Sequence, residues 1–241
     1  MGALMIFGLG YTATRIARAM AGQGWQVRAT GRAGDIAFAD RSAVLAALAE
    51  ASHVLSSVPP DRASGADPVL AAYGESLAGK ALFYLSSTGV YGDRQGAWVD
   101  EATPTISAEG VGRRIGRAAA DLAWVRAGAA RRIALPGQVF SRVHVDDIAS
   151  GVAAALAQDA PAGAYNLGDD LPCSGNEVTE YACRLLGVEP PPLETLDAAQ
   201  LSPMARGFYM ENRRIANGKA KRVLGWRLRY PTYVEGLAAQ R

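Results

Sequence analysis

The residues Gly8-Leu9-Gly10-Tyr11-Thr12-Ala13 have the G-x-G-x-x-A spacing of a turn that can hold a diphosphate. The first glycine permits a tight turn, the second lets backbone approach a pyrophosphate, and the small third residue lets helix and strand pack closely. A helix starting there offers unpaired N–H groups and a positive dipole end to the anion. Some 20 residues on, where a carboxylate normally bonds the ribose 2′-hydroxyl of NAD, stand Thr30, Gly31 and Arg32. No carboxylate is there to repel a 2′-phosphate, and Arg32 can pair with one, so NADP is expected in preference to NAD. The alternative is that Arg32 faces water and Asp35 does the acidic residue's work. Ser56 and Ser57 close a later apolar run and can contact ribose or nicotinamide. The stretch 86–93, SSTGVYGD, adds hydroxyls that can hydrogen-bond a substrate hydroxyl or carbonyl. It also holds a phenol, Tyr91, that can pass a proton if its pKa, about 10 when unperturbed, is lowered. The bland alternative for that stretch is a polar strand end followed by a turn.

These residues need a scaffold that brings strand ends together. Ala3–Phe7 is an apolar run suited to a buried strand, and Ala13, Ile16, Ala17 and Met20 then form a helical stripe opposite Arg15 and Arg18. Further strands are expected at 25–30, 36–39, 53–58 and 81–87, with helices at Arg41–Glu50 and 67–78 between them. Alternation of strand and helix predicts a parallel α/β sheet, whose carboxyl edge carries the chemistry. His53 starts a strand, the wrong end for catalysis, and is read as structural. Later come short strands at 140–145 and 165–168 and a helix from Asp146 to Gln158, with Asp146 and Asp147 as caps for its N-terminal amides. His144 is read as a hydrogen-bonded structural residue. A further helix at 174–186 ends at Gly187, and Pro190-Pro191-Pro192 makes a stiff connector. The aromatic and arginine residues of 201–217 suit an anionic or sugar-like ligand, and packing explains them almost as well.

The chain has 241 residues, enough for one large domain with a sizeable core. A formal charge of +2 gives no basic field for nucleic acid. Cys173 and Cys183 are too few for a disulfide framework and lack metal-ligand company, so a reduced, cytoplasmic protein without a metal is expected. The N-terminal apolar run is too short for a signal-peptide core, and no segment approaches the roughly 20 apolar residues of a membrane span.

Taken in order, GLGYTA, SSTGVYGD, FSRVHVDDIA at 140–149, YNLGDD at 165–170 and the tail KAKRVLGWRLRYPTYVEGL resemble the atypical and extended short-chain dehydrogenase/reductases of the NAD-dependent epimerase/dehydratase type. The resemblance covers essentially the whole chain. It implies a Rossmann-type doubly wound parallel sheet with a small C-terminal substrate lobe, as one domain over 1–241. The dinucleotide core would cover about 1–168 and the lobe about 169–230. It also implies a small-molecule substrate, in many relatives a nucleotide-linked sugar, and a homodimer built partly on a long helix. The family's catalytic set is a Ser or Thr with a Tyr and a Lys four apart on that helix, where the lysine lowers the tyrosine pKa. The Ser or Thr corresponds to Ser87.

The tyrosine and lysine positions are Arg113 and Arg117 here. Arginine stays protonated and is no general base. Arg117 can still hold the cofactor ribose, Arg113 can bind a substrate carboxylate or phosphate, and Tyr91 is the nearby phenol that can substitute. A strand and loop of the family also have no counterpart between about Trp124 and Arg131. Two functions follow as expectations. One is an NAD(P)-binding oxidoreductase or epimerase/dehydratase-like enzyme with Ser87 and Tyr91 as catalytic residues. Its cofactor site would comprise Gly8, Leu9, Gly10, Tyr11, Thr12, Ala13, Thr30, Arg32, Ser57 and Arg117. The other is a dinucleotide-binding protein that senses or is structured by the cofactor without turnover.

Overall fold

Four short parallel strands build the sheet on which the glycine turn sits: β1 (Ala3–Phe7), β2 (Gln26–Ala29), β3 (His53–Ser56) and β4 (Ala81–Tyr84), in the spatial order β2-β1-β3-β4. The structure is a computed structural model and describes residues 2–61, 63–106, 131–158 and 160–240. The register sets Ile6 beside Ala29 on one side, and Phe7 beside Ser56 on the other. β1 is therefore central, and Met5, Ile6 and Phe7 are wholly buried, as an uninterrupted apolar run requires. The parallel α/β sheet expected from the alternation, and the Rossmann-type arrangement that the resemblance implies, are found.

Helix α1 (Tyr11–Gly22) follows the turn and buries Thr12, Ala13, Ile16 and Met20. Helix α2 (Arg41–Glu50) starts at Asp40, whose carboxylate accepts the Ala43 N–H at 3.0 Å, a cap worth about 1 kcal/mol. Val44, Ala47 and Leu48 of α2 join Met5, Phe7, Val54 and Tyr73 in one core. Burying each large side chain there contributes roughly 1.5–3 kcal/mol. The ring of Tyr73 stacks on Phe7 at 5.5 Å and meets Phe38 edge-on at 5.4 Å. Tyr73 ends α3 (Pro68–Tyr73), which tightens into a 3₁₀ turn at Gly74–Leu77.

The chain divides into two compact units, Met1–Ser87 with Val152–Asp159, and Thr88–Gly151 with Ala160–Arg241. The second has two small parallel ladders. One joins β5 (Trp98–Val99) to β8 (Arg214–Ile215), the other β6 (Arg132–Ile133) to β7 (Leu193–Glu194). Among the described residues its helices are α5 (Gly175–Leu186), α6 (Pro203–Tyr209), α7 (Gly218–Leu224) and α8 (Tyr233–Ala238), and the division between units falls inside α4 (Val145–Ala157). α5 has the predicted bounds to within a residue, starting at Gly175. Ser174 and Glu177 form a reciprocal capping box, and Gly187 takes φ 67° to end the helix.

Three expected strands are not strands. At 36–39 only Ile36 bridges Thr30, because the Asp35 carboxylate accepts the Ala29 N–H at 2.7 Å and folds the chain back on itself. At 140–145 a single bridge joins Phe140 to Cys173, and α4 begins at Val145. At 165–168 the backbone is loop, with the Asn166 N–H donated to Glu101 at 2.6 Å instead of to a neighbouring strand. Arg113, Arg117, the helix expected to support a homodimer and most of the interval between Trp124 and Arg131 lie outside the described residues.

Candidate functional site

Gly8 leaves β1 with φ +87°, a conformation that favours glycine. Its N–H donates to the Thr30 hydroxyl at 3.2 Å, and its carbonyl accepts from the Ser57 hydroxyl at 2.5 Å. Leu9 N–H donates to the Thr30 carbonyl at 2.7 Å, and Gly10 N–H turns back to the Gly8 carbonyl at 2.8 Å. Gly10 then opens α1. Among the described residues no side chain caps that helix start, and its first turn holds no acid. The leading N–H groups of Tyr11, Thr12 and Ala13 thus have the character of an anion site.

Two observations test whether the residues fit a diphosphate. Among the described residues a Cβ built on Gly10 would meet nothing within 4 Å, which leaves room for a ligand to approach the backbone. Thr12, 5% exposed, has a buried Oγ1 with no hydrogen-bond partner among the described residues. An orphaned buried hydroxyl is costly unless a ligand or water meets it. Both fit a dinucleotide. Tyr11 stands exposed at the same helix start, with the Arg15 guanidinium 5.8 Å from its ring.

At the end of β2, Thr30 is buried and Arg32 is exposed. Gly31 between them has φ +119°, and a Cβ there would fall 2.7 Å from the Leu9 nitrogen. Backbone cannot yield as a flexible side chain does, so this chain path admits no carboxylate at 31. Asp35 is engaged elsewhere, on Ala29 N–H and on Arg28. Burial pushes its pKa up, but the Ala29 amide and the Arg28 side chain outweigh that and hold the carboxyl below its usual range.

Ser57 and Ser87 follow β3 and β4 at the same carboxyl edge of the parallel sheet. Tyr91 belongs to the second unit, in the 3₁₀ turn Thr88–Tyr91, and is 4% exposed. Its hydroxyl donates to Asn166 Oδ1 at 3.0 Å. Burial raises its pKa above 10, with Glu101 and Asp100 adding to the rise and Asn166 opposing it. A phenol used as a base needs the opposite shift. Asn166 and Glu101 were not singled out from the sequence. The stretch 165–168 was read as a strand instead, and nothing local in the sequence links it to Glu101.

Other groups in the second unit are held by packing. Asp147 is wholly buried and accepts the N–H groups of Arg229 at 2.7 Å and Tyr230 at 3.0 Å, so it clamps the C-terminal segment where a helix cap was expected. His144 lies 4.0 Å from the Tyr230 ring and accepts the Asp146 N–H, as a structural histidine does. Arg213 donates to the Gly92 carbonyl and to Glu211, and Arg214 to the Gly96 carbonyl. These contacts commit Arg213 and Arg214 to the fold. Burial pushes the Asp169 carboxyl up to about 7. Among the described residues no group of His, Cys, Asp and Glu has the arrangement of a metal site, and no helix is long and apolar enough to cross a membrane.

No protein-family model matches the chain. A conserved protein of unknown function from Silicibacter pomeroyi DSS has a solved structure that is 38% identical, with 99% of this chain and 98% of that one covered, at a TM-score of 0.82. The human epimerase family protein SDR39U1 (isoform 2), crystallised with NADPH, is 14% identical over 98% of each chain, with a TM-score of 0.76, and shows the likeness of fold. Among curated proteins, a 3-diazoavenalumate denitrifying reductase from a Streptomyces species is 35% identical over 107 residues. That match spans 42% of this chain and 34% of the reductase, about a third of its length.

Proposed function

This chain belongs to one family with the Silicibacter pomeroyi protein, and from that premise we propose that it is of the short-chain dehydrogenase/reductase, NAD-dependent epimerase/dehydratase-like type, an oxidoreductase that binds NADP in preference to NAD. The observation that carries this reading is the uncapped start of α1 behind a fixed glycine turn, with open space at Gly10 and an orphaned Thr12 hydroxyl. When bound, the nicotinamide supplies hydride donor or acceptor chemistry. The chain's own part is to hold the diphosphate on the α1 amides and to meet the adenosine ribose at 31–32. The closed path at Gly31 and the engagement of Asp35 support Arg32 as the partner of a 2′-phosphate. The NADPH of the human neighbour and the reductase name of the Streptomyces relative agree with a nicotinamide cofactor and redox chemistry. The substrate class is a polar metabolite, with nucleotide-linked sugars the first to assay, and Ser87 is the hydroxyl we assign to it.

Direct titration tests the cofactor reading. Wild-type protein is expected to bind NADP more tightly than NAD, and Arg32→Ala to weaken NADP about tenfold, the loss of one charge-assisted contact, with NAD unchanged. Binding of neither cofactor at millimolar concentration refutes it. A second reading, a cofactor-binding protein without turnover, is favoured by the buried, proton-retaining Tyr91 and by arginines at 113 and 117. Hydride transfer to a nucleotide-linked sugar that is abolished by Ser87→Ala eliminates it.

A further inference from the structure

We propose that Thr30 and Ser57 are positioning residues that preform the diphosphate loop, and that neither touches the cofactor. The inference rests on the cofactor reading above. β1 lies between β2 and β3, and the register places Ala29 beside Ile6 and Ser56 beside Phe7. The residues immediately after those partners, Thr30 and Ser57, therefore flank Gly8 from both sides. Each contributes a hydroxyl and a backbone group. Thr30 Oγ1 accepts the Gly8 N–H and its carbonyl accepts the Leu9 N–H, at 3.2 and 2.7 Å. Ser57 Oγ donates to the Gly8 carbonyl at 2.5 Å, and Ser57 N–H donates to the Phe7 carbonyl at 2.9 Å.

Both polar groups of Gly8 are thus held from opposite neighbours. A glycine at φ +87° has many other conformations open to it in the absence of such restraint. Fixing it before the ligand arrives means that less loop entropy is lost on binding. Because the loop meets the diphosphate, which NADP and NAD share, the clamp acts on both cofactors alike. Residues that touched the 2′-position would separate them.

The test compares Thr30→Val, which keeps shape and removes the hydroxyl, with Thr30→Ser, which keeps the hydroxyl, and adds Ser57→Ala. The readouts are dissociation constants for NADP and NAD, and amide exchange across 8–13 in the free protein. Thr30→Val and Ser57→Ala are expected to weaken both cofactors by a similar factor, about tenfold each, as for one lost hydrogen bond, and to speed loop exchange. Thr30→Ser is expected to restore both readouts. Selective loss of one cofactor makes these residues direct contacts and overturns the proposal, as does unchanged affinity for both at a temperature well below melting. If wild-type protein binds neither cofactor, the cofactor reading fails instead. Exchange in the free protein still decides whether the clamp exists, and unchanged exchange in Thr30→Val overturns it independently of any ligand.

Discussion

Asp169 shows how one buried side chain sets a pH dependence. It is 4% exposed, and its carboxylate accepts only the Leu171 N–H, at 3.3 Å, among the described residues. Burial dominates, raising its pKa to about 7; Asp170 and Asp147 add to the rise and the Arg142 charge opposes it. In the unfolded chain the same group ionises near pH 4. Between those values the folded state holds a proton that the unfolded state has released. The stability tied to this group is therefore complete below about pH 4 and is lost as pH rises through about 7, by up to roughly 4 kcal/mol. Asp169→Asn, neutral throughout, is expected to be more stable than the native chain at pH 8 and equal to it near pH 4. Urea denaturation across that range measures the difference, and a constant gap at all pH values contradicts the assignment.

At the scale of elements, α4 and the C-terminal segment are joined by one carboxylate. Asp147 accepts two backbone N–H groups at 229 and 230, and the Trp226 indole N–H donates to the Asp147 carbonyl at 3.0 Å. Asp147→Ala leaves two partly buried donors without this acceptor, which costs about 2 kcal/mol. Asp147→Asn keeps one acceptor oxygen and is expected to lose less. Equal losses in the two variants would mean that the charge matters more than the hydrogen bonds. α5 was legible in the sequence because its signals are local: a Ser174–Glu177 box at one end and Gly187 at the other. Asp147 was misread for the same reason. Its position suggested a local cap, while its partners lie some eighty residues away. The short strands at 36–39, 140–145 and 165–168 failed because a run of four to six residues does not fix its ladder partner, and here side-chain acceptors and single bridges take the place of a ladder.

For the molecule as a whole, cofactor binding adds stability by mass action, about 2.7 kcal/mol at a ligand concentration one hundred times the dissociation constant. NADP at that level is expected to raise the melting temperature and to slow amide exchange first at 3–13, 26–32 and 53–57, the segments that meet at Gly8. Protection elsewhere with none in those segments would remove the site from the β1–α1 turn. The amino-acid order alone determined the strand, glycine turn and helix at the start, the parallel α/β class and the bounds of α2 and α5. Each depends on periodicity, capping chemistry or backbone freedom within a few residues. The tertiary structure decided which strands flank β1, and hence that Thr30 and Ser57 close on Gly8, that Gly31 excludes a side chain and that Tyr91 is buried against Asn166. Those outcomes depend on strand order and register, contacts between residues twenty to seventy-five positions apart, which no local pattern encodes.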